Sequence, residues 1–164
     1  MNIENLKKQL IIDESCKLYI YEDHLGNPTF GIGHLIRKTD PEFLLIETVV
    51  KGGKVKLSRE RVDAVFAKDV EICLKDCRRR FKEFDKFCDE AQEIIANMMF
   101  NMGYDKFSGF KKLIKAIEAR DFAQAAKEMI DSSWYIQTKD RAKRLVARME
   151  KLAEKAICEV NPVV

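Results

Sequence analysis

The sequence predicts an α+β fold, with a small N-terminal β-hairpin lobe and a larger helical lobe joined by a long helix. Three observations carry this prediction. Between Lys17 and Leu35 the residues alternate, favour β-branched and aromatic side chains, and break at Gly26-Asn27-Pro28, which marks a small antiparallel hairpin or three-stranded ribbon. Nearly everything else repeats apolar residues at the helical period. The 164 residues, 46% hydrophobic and 35% charged, suffice for one sizeable core and do not call for a second.

Taken in order, Ile3, Leu6 and Leu10 predict a helix over 3–13, ending around Asp13-Glu14-Ser15. After the ribbon and Thr39-Asp40-Pro41, Phe43, Leu44, Ile46 and Val50 predict a helix closed by Gly52-Gly53. Ser58 is an N-cap residue with Glu60 in the first turn, and the helix that follows carries Val62, Val65, Phe66, Val70 and Cys73 on one side. Beyond Arg80 the pattern is helical, with breaks expected near 87–89, at 103–105, at Gly109, at Arg120-Asp121 and near 138–140, and a stop at Asn161-Pro162. The whole chain, 1–164, is expected to be one domain. Its hairpin-containing lobe spans 15–57, its linking helix 58–79, and its helical lobe 80–164 together with helix 3–13. A ligand is expected in a cleft where the lobes meet, with Glu14 delivered there by the end of the first helix.

Composition excludes several classes. With 7 glycines and 3 prolines the chain is neither collagen-like nor disordered. The apolar runs fall far short of the roughly 20 residues of a spanning helix, so no membrane insertion is expected. The start Met-Asn-Ile-Glu-Asn-Leu-Lys-Lys does not read as a secretory signal. Five cysteines (Cys16, Cys73, Cys77, Cys88 and Cys158) are expected to be free thiols. Cys73 and Cys77 have half the spacing of a metal site, but no second ligand pair accompanies them and the only histidines are His24 and His34, so no metal is expected. The net charge of +3 is mild. The basic stretches Arg78-Arg79-Arg80 and Lys139 to Arg148 read as solvated helix faces, and no recognised nucleic-acid module accompanies them, so nucleic acid is not an expected partner.

For chemistry, the sequence offers Glu14 where a helix gives way to a strand, Asp23 beside the turn, and Thr29 beyond it. Two carboxylates of unlike protonation can run acid and base chemistry together, as glycosidic cleavage requires. Spacing alone leaves this open, because 27 acidic residues place many carboxylates near turns.

The run Ile12-Asp13-Glu14, then Lys17 to Asp23, Gly26, and Thr29-Phe30-Gly31-Ile32-Gly33-His34-Leu35, resembles the catalytic segment of the T-even phage lysozymes, glycoside hydrolase family 24. Val65 to Val70 resembles the family's linking helix and Ile95 to Gly103 its buried central helix. Ser133-Trp134-Tyr135-Ile136-Gln137-Thr138 through Arg144 is similar to its Trp-Tyr-x-Gln-Thr-x-x-Arg-Ala-x-Arg signature.

The resemblance implies Glu14 as general acid, Asp23 as the base that activates water, and Thr29 as the hydroxyl that holds that water. The implied reaction cleaves the β-1,4 bond between N-acetylmuramic acid and N-acetylglucosamine with inversion, without metal or cofactor. Inversion needs the two carboxyl groups roughly 6.5 to 9.5 Å apart. Arg141 matches an arginine that pairs with the acid, Asp13 and Arg144 a neighbouring ion pair, and His34 and Asp69 a structural salt bridge. Leu35, Asn97, Phe100, Asn101 and Met102 match sugar-binding positions, whereas Phe81, Phe84, Phe87, Trp134 and Tyr135 read as core aromatics. Leu25, Ser133, Leu113 and Glu128 depart from polar residues of a well-known member, and Leu113 with Glu128 replaces a pair that touches substrate. The implied partner is bacterial peptidoglycan, met by a monomer. Two placements stay open: an endolysin held in the host cytoplasm until its release to the wall, or a tail-associated virion enzyme. A non-catalytic wall-binding module of the same fold is the alternative reading.

Overall fold

The computed structural model describes residues 1–23 and 25–160, with side chains through Lys155. His24, the thiol of Cys158 and the expected stop at Asn161-Pro162 lie outside the described residues. The chain divides into two compact units, Glu4–Ile72 and a second formed by Met1–Ile3 with the chain from Cys73 onward.

The first unit takes in most of α1 (Ile3–Glu14), whose Leu6 and Leu10 are buried. Ser15, at φ 59°, then turns the chain into a three-stranded antiparallel sheet of β1 (Lys17–Glu22), β2 (Pro28–Gly31) and β3 (His34–Leu35), in that spatial order. Tyr21 faces Thr29 across β1 and β2, and Phe30 faces His34 across β2 and β3. Ile20, Phe30 and Ile36 pack with Val62 and Val65 in a small core that Cys16, Ile46 and Val49 flank. On the free edge of β1 the Ile20 amide donates to the Val55 carbonyl at 3.0 Å, and Tyr19 bridges to Lys56.

Residues 41–50 depart from the expected amphipathic helix. Pro41–Leu45 is a 3₁₀ turn, and only Ile46–Val50 is α-helical (α2). Phe43, Leu44 and Val50 are exposed, and the buried residue is Glu42, 5% exposed. Side chains in a 3₁₀ turn repeat every three residues rather than every 3.6, so a helical period read through this segment selects the wrong face. The expected Gly52-Gly53 closure is present, with the Gly52 amide on the Val49 carbonyl at 2.9 Å and φ +85° at Gly52.

The long helix α3 (Arg59–Arg80) starts at Ser58, whose hydroxyl accepts from the Arg61 amide at 3.1 Å. Its apolar stripe of Val62, Val65, Phe66, Val70 and Cys73 is buried as expected.

The second unit is helical. A 3₁₀ turn at Phe84–Lys86 leads to α4 (Asp89–Ser108), α5 (Lys111–Glu118), α6 (Phe122–Ile130), α7 (Ser133–Thr138) and α8 (Asp140–Val160). Every residue from Ala91 to Met99 is buried, so α4 is the central helix of this unit. It kinks at Gly103, where φ 76° and ψ 167° produce the break expected at 103–105. Phe81 meets Phe87 and Phe107 edge-on, with centroids 5.8 and 6.0 Å apart. Buried Glu93 and partly exposed Glu90 are both bound by Arg148, at 2.8 and 2.6 Å.

One break was not expected. Asp131-Ser132 separates α6 from α7, and the Ser132 hydroxyl accepts from the Tyr135 amide at 3.2 Å. Leu113, 1% exposed, belongs to the core. Among the described residues no helix is long and apolar enough to cross a membrane.

Candidate active site

Glu14 is the last residue of α1, and Ser15 at positive φ then turns the chain toward β1. Gly33, between β2 and β3 at φ +70°, leaves room for it: a Cβ at Gly33 would lie 3.1 Å from Glu14 Oε2. The left-handed backbone favours glycine there, and a Cβ would press on the carboxylate.

Asp23 follows β1 and caps the turn. Its Oδ1 accepts from the Leu25 and Asn27 amides, each at 2.8 Å, and its Oδ2 from Asn27 Nδ2 at 3.2 Å. An ionised carboxylate is an acceptor only, and three donors suit it. Thr29 on β2 is 4% exposed, and its hydroxyl donates to the Asn27 carbonyl at 3.1 Å. Asn27 thus holds both Asp23 and Thr29.

Tyr21 completes this arrangement and was not singled out from the sequence. Burial raises its phenol pKa first, and the negative charges of Glu14 and Asp23 raise it further, so both carboxylates lie within electrostatic reach of one hydroxyl. The Lys17 ammonium sits 3.8 Å from the centre of the same ring. The available signal was position: Tyr21 lies two residues before Asp23, and Lys17 four before Tyr21, on a six-residue strand.

His34 Nδ1 pairs with Asp69 Oδ2 at 2.7 Å, and its Nε2 lies 3.3 Å from Asp40 Oδ2, a second partner that the resemblance did not supply. Burial by itself would lower the imidazole pKa. The Asp69 hydrogen bond and the charges of Asp69 and Asp40 outweigh it, and the pKa is raised. Asp40 also accepts from the Arg37 amide at 2.6 Å. Burial opposes its ionisation, but that amide and His34 prevail and lower its pKa.

Glu14, Asp23, Thr29, His34, Leu35 and Asp69, with Asp13, therefore fall in the first unit, and Leu35 faces Thr29 across the sheet. Asn97, Phe100, Asn101, Met102, Arg141 and Arg144 fall in the second. There Asn97 is fully buried, and its Oδ1 accepts from Arg141 Nε at 2.8 Å. Trp134, buried as expected, donates its indole N–H to Asn101 Oδ1 at 2.9 Å. Phe100, Asn101 and Met102 keep partial exposure. Among the described residues no three His, Cys, Asp or Glu side chains gather to hold a metal ion.

A helix-end glutamate against the β2–β3 turn, a turn-capping aspartate and a strand threonine in one compact unit are groups fit for proton transfer to and from an oxygen leaving group and a water. These residues lie within a longer match: the phage lysozyme pattern covers residues 12–151. The chain belongs to the phage lysozyme family. It is a glycoside hydrolase of lysozyme type, and peptidoglycan is its substrate class. It is 33% identical over 165 residues to "Probable T4-type lysozyme 1" of Dictyostelium discoideum, across 90% of this chain and 95% of that protein. It is also 30% identical over 157 residues to the "Pre-baseplate central spike protein Gp5" of Enterobacteria phage T4, across 86% of this chain and 27% of the spike protein. With "Peptidoglycan hydrolase gp36" of Pseudomonas phage phiKMV it shares 25% identity over 148 residues, 90% of this chain and 15% of that protein.

Proposed function

We propose that this lysozyme cleaves the β-1,4 bond between N-acetylmuramic acid and N-acetylglucosamine with inversion. Glu14 gives its proton to the glycosidic oxygen as the bond to the anomeric carbon breaks. A water, held by the Thr29 hydroxyl, attacks that carbon from the opposite face and loses its proton to Asp23. Proton transfers of this kind contribute about 10² to 10⁴ each to the rate. The observations that carry the reading are geometric: Asn27 holds both Asp23 and the Thr29 hydroxyl, and Gly33, just past the other end of the strand that carries Thr29, lies against the Glu14 carboxylate. Sugar binding is assigned to Leu35, Phe100, Asn101 and Met102. Asn97, expected among the sugar-binding residues, is fully buried with its Oδ1 taken by Arg141, so we assign it to orienting that guanidinium; Arg141, Asp13 and Arg144 are assigned supporting roles.

Purified sacculi digested in heavy-oxygen water test this reading. Released muropeptides carry the label at a reducing N-acetylmuramic acid whose first-formed anomer is α. Glu14→Gln and Asp23→Asn each lose at least about a hundredfold in rate, with unchanged melting. Anhydro ends or a β anomer overturn the mechanism. Lysis by Glu14→Gln at the parent's rate overturns the assignment of the acid, whereas wall binding without turnover by the parent makes the chain a binding module. One chain carries every assigned residue, so we assign activity to a monomer. Release from the host cytoplasm as an endolysin is the placement we propose; similarity to a spike protein supports the virion alternative, which recovery of the chain from purified particles decides.

A further inference from the structure

Away from the carboxylates assigned to hydrolysis, the second unit holds a groove of about 420 Å³ walled by the end of α3, the end of α4 and α5. Three cations line it, Arg80, Lys111 and Lys115, against the single anion Glu118, which Arg80 already meets at 3.4 Å. A second hollow of about 390 Å³ shares Arg80 and Glu118 and adds Arg79 and Lys82 against Glu83. The first groove also contains Ser108, whose Oγ is buried and has no hydrogen-bond partner. A buried hydroxyl left unpaired is costly.

We propose that the groove binds a phosphate ester carried by a saccharide. Glu118 meets Arg80 through one 3.4 Å contact, which leaves the guanidinium further N–H donors for another anion. Donors on two walls, Arg80 at the end of α3 and lysines at i and i+4 on α5, with Ser108 lining the same groove, suit a tetrahedral anion approached from several sides. Lys111 opens α5, whose N-cap residue Phe110 makes no side-chain cap, so the positive end of that helix dipole adds to the same field. Tyr104 supplies a ring for the sugar, fixed by the Arg79 guanidinium 4.0 Å from its centre, and Ile114 lines the same groove as an apolar contact.

Backbone NMR titration of the full chain at constant ionic strength tests the site, with inorganic phosphate, N-acetylglucosamine 6-phosphate and chloride as probes. Saturable shifts centred on Ser108, Lys111 and Lys115 are expected for both phosphates, tighter for the sugar phosphate, and none for chloride. Lys115→Gln weakens binding about tenfold, the scale of one charge-assisted hydrogen bond. Ser108→Ala weakens it as well, yet leaves the melting temperature of the free protein unchanged or higher, because it removes an unpaired buried hydroxyl. Equal shifts with chloride, or variants that bind as the parent does, overturn the site. Equal affinity for the two phosphates overturns its sugar half. None of these readouts depends on hydrolysis, so failure of the catalytic assignment leaves the test intact.

Discussion

Gly33 and Glu14 compete for one space: a Cβ on the glycine would stand 3.1 Å from Oε2 of the acid, on a backbone already at φ +70°. Gly33→Ala therefore acts twice. The left-handed backbone costs about 1–2 kcal/mol once a Cβ is present, and the carboxylate must shift by a few tenths of an ångström. If Glu14 is the proton donor, kcat falls about tenfold or more with KM nearly unchanged, since small misplacements of catalytic groups are costly. A lower melting temperature with full kcat in the folded fraction would make Gly33 only a turn residue.

Asn27 is the shared holder of Asp23 and Thr29. Asn27→Ala removes the 3.2 Å bond from Nδ2 to Asp23 Oδ2 but keeps the 2.8 Å amide bond to Oδ1 and the carbonyl that receives the Thr29 hydroxyl. The expected outcome is a severalfold loss of kcat, with stability lowered by about 0.5–1.5 kcal/mol, the net value of one hydrogen bond. Steady-state rates on sacculi and chemical denaturation check the two parts separately. Loss of stability with unchanged kcat would return Asp23 to a turn-capping role.

His34 is held between Asp69 and Asp40, and its raised pKa fixes the sign of a pH effect. A histidine whose pKa is higher folded than unfolded contributes stability that is fully present below its unfolded value of about 6.5 and is lost as pH rises through the folded value. Asp69→Asn should thus cost about 1.5–3 kcal/mol near pH 5.5, the range for a hydrogen bond to a charged group, and progressively less toward pH 9. Denaturant unfolding across that range measures it. Hydrolysis by the folded variant should persist, because no catalytic step is assigned to His34. A pH-independent cost would show that the pair works through packing rather than charge.

The sheet and the long helix were legible because each repeats one period, β1 and β2 around Gly26-Asn27-Pro28 and the Val62 to Cys73 stripe, whereas the central helix, buried at every residue from Ala91 to Met99, was reached by motif resemblance. Short elements hid where two rules competed. Leu44 and Val50 fitted a helical period in a segment whose first half is a 3₁₀ turn. Asp131-Ser132 carried capping chemistry inside an otherwise helical stretch. Within the candidate site, motif resemblance reached Glu14, Asp23 and Thr29, but Tyr21 and Asn27 act through partners brought close by strand register and turn geometry. Sequence spacing does not display those partners. The buried Glu42 was illegible for a similar reason, since its partner Arg61 lies nineteen positions away.

That pair gives the last prediction. Arg61 Nε and Nη2 meet Glu42 Oε1 and Oε2 at 2.6 and 2.9 Å, a two-pronged bond to a carboxylate that is itself 5% exposed. The Arg61 hydrogen bond lowers the Glu42 pKa more than burial raises it. A depressed carboxylate pKa contributes stability above its unfolded value that is lost as pH falls through the folded one. Arg61→Ala strands the charge and should cost about 2–4 kcal/mol at pH 7, less than for a fully buried pair because the guanidinium keeps some solvent. The cost should shrink at acid pH, where Glu42 takes up a proton and needs no partner. Glu42→Met with Arg61→Met, which replaces both charges with apolar side chains, should recover most of the loss, because removing both partners leaves nothing unpaired. Denaturant unfolding of the three variants at pH 7 and pH 4 separates these effects. If the double variant is no more stable than Arg61→Ala at pH 7, the pair provides shape that methionines cannot supply, and the stranded charge is not the source of the cost.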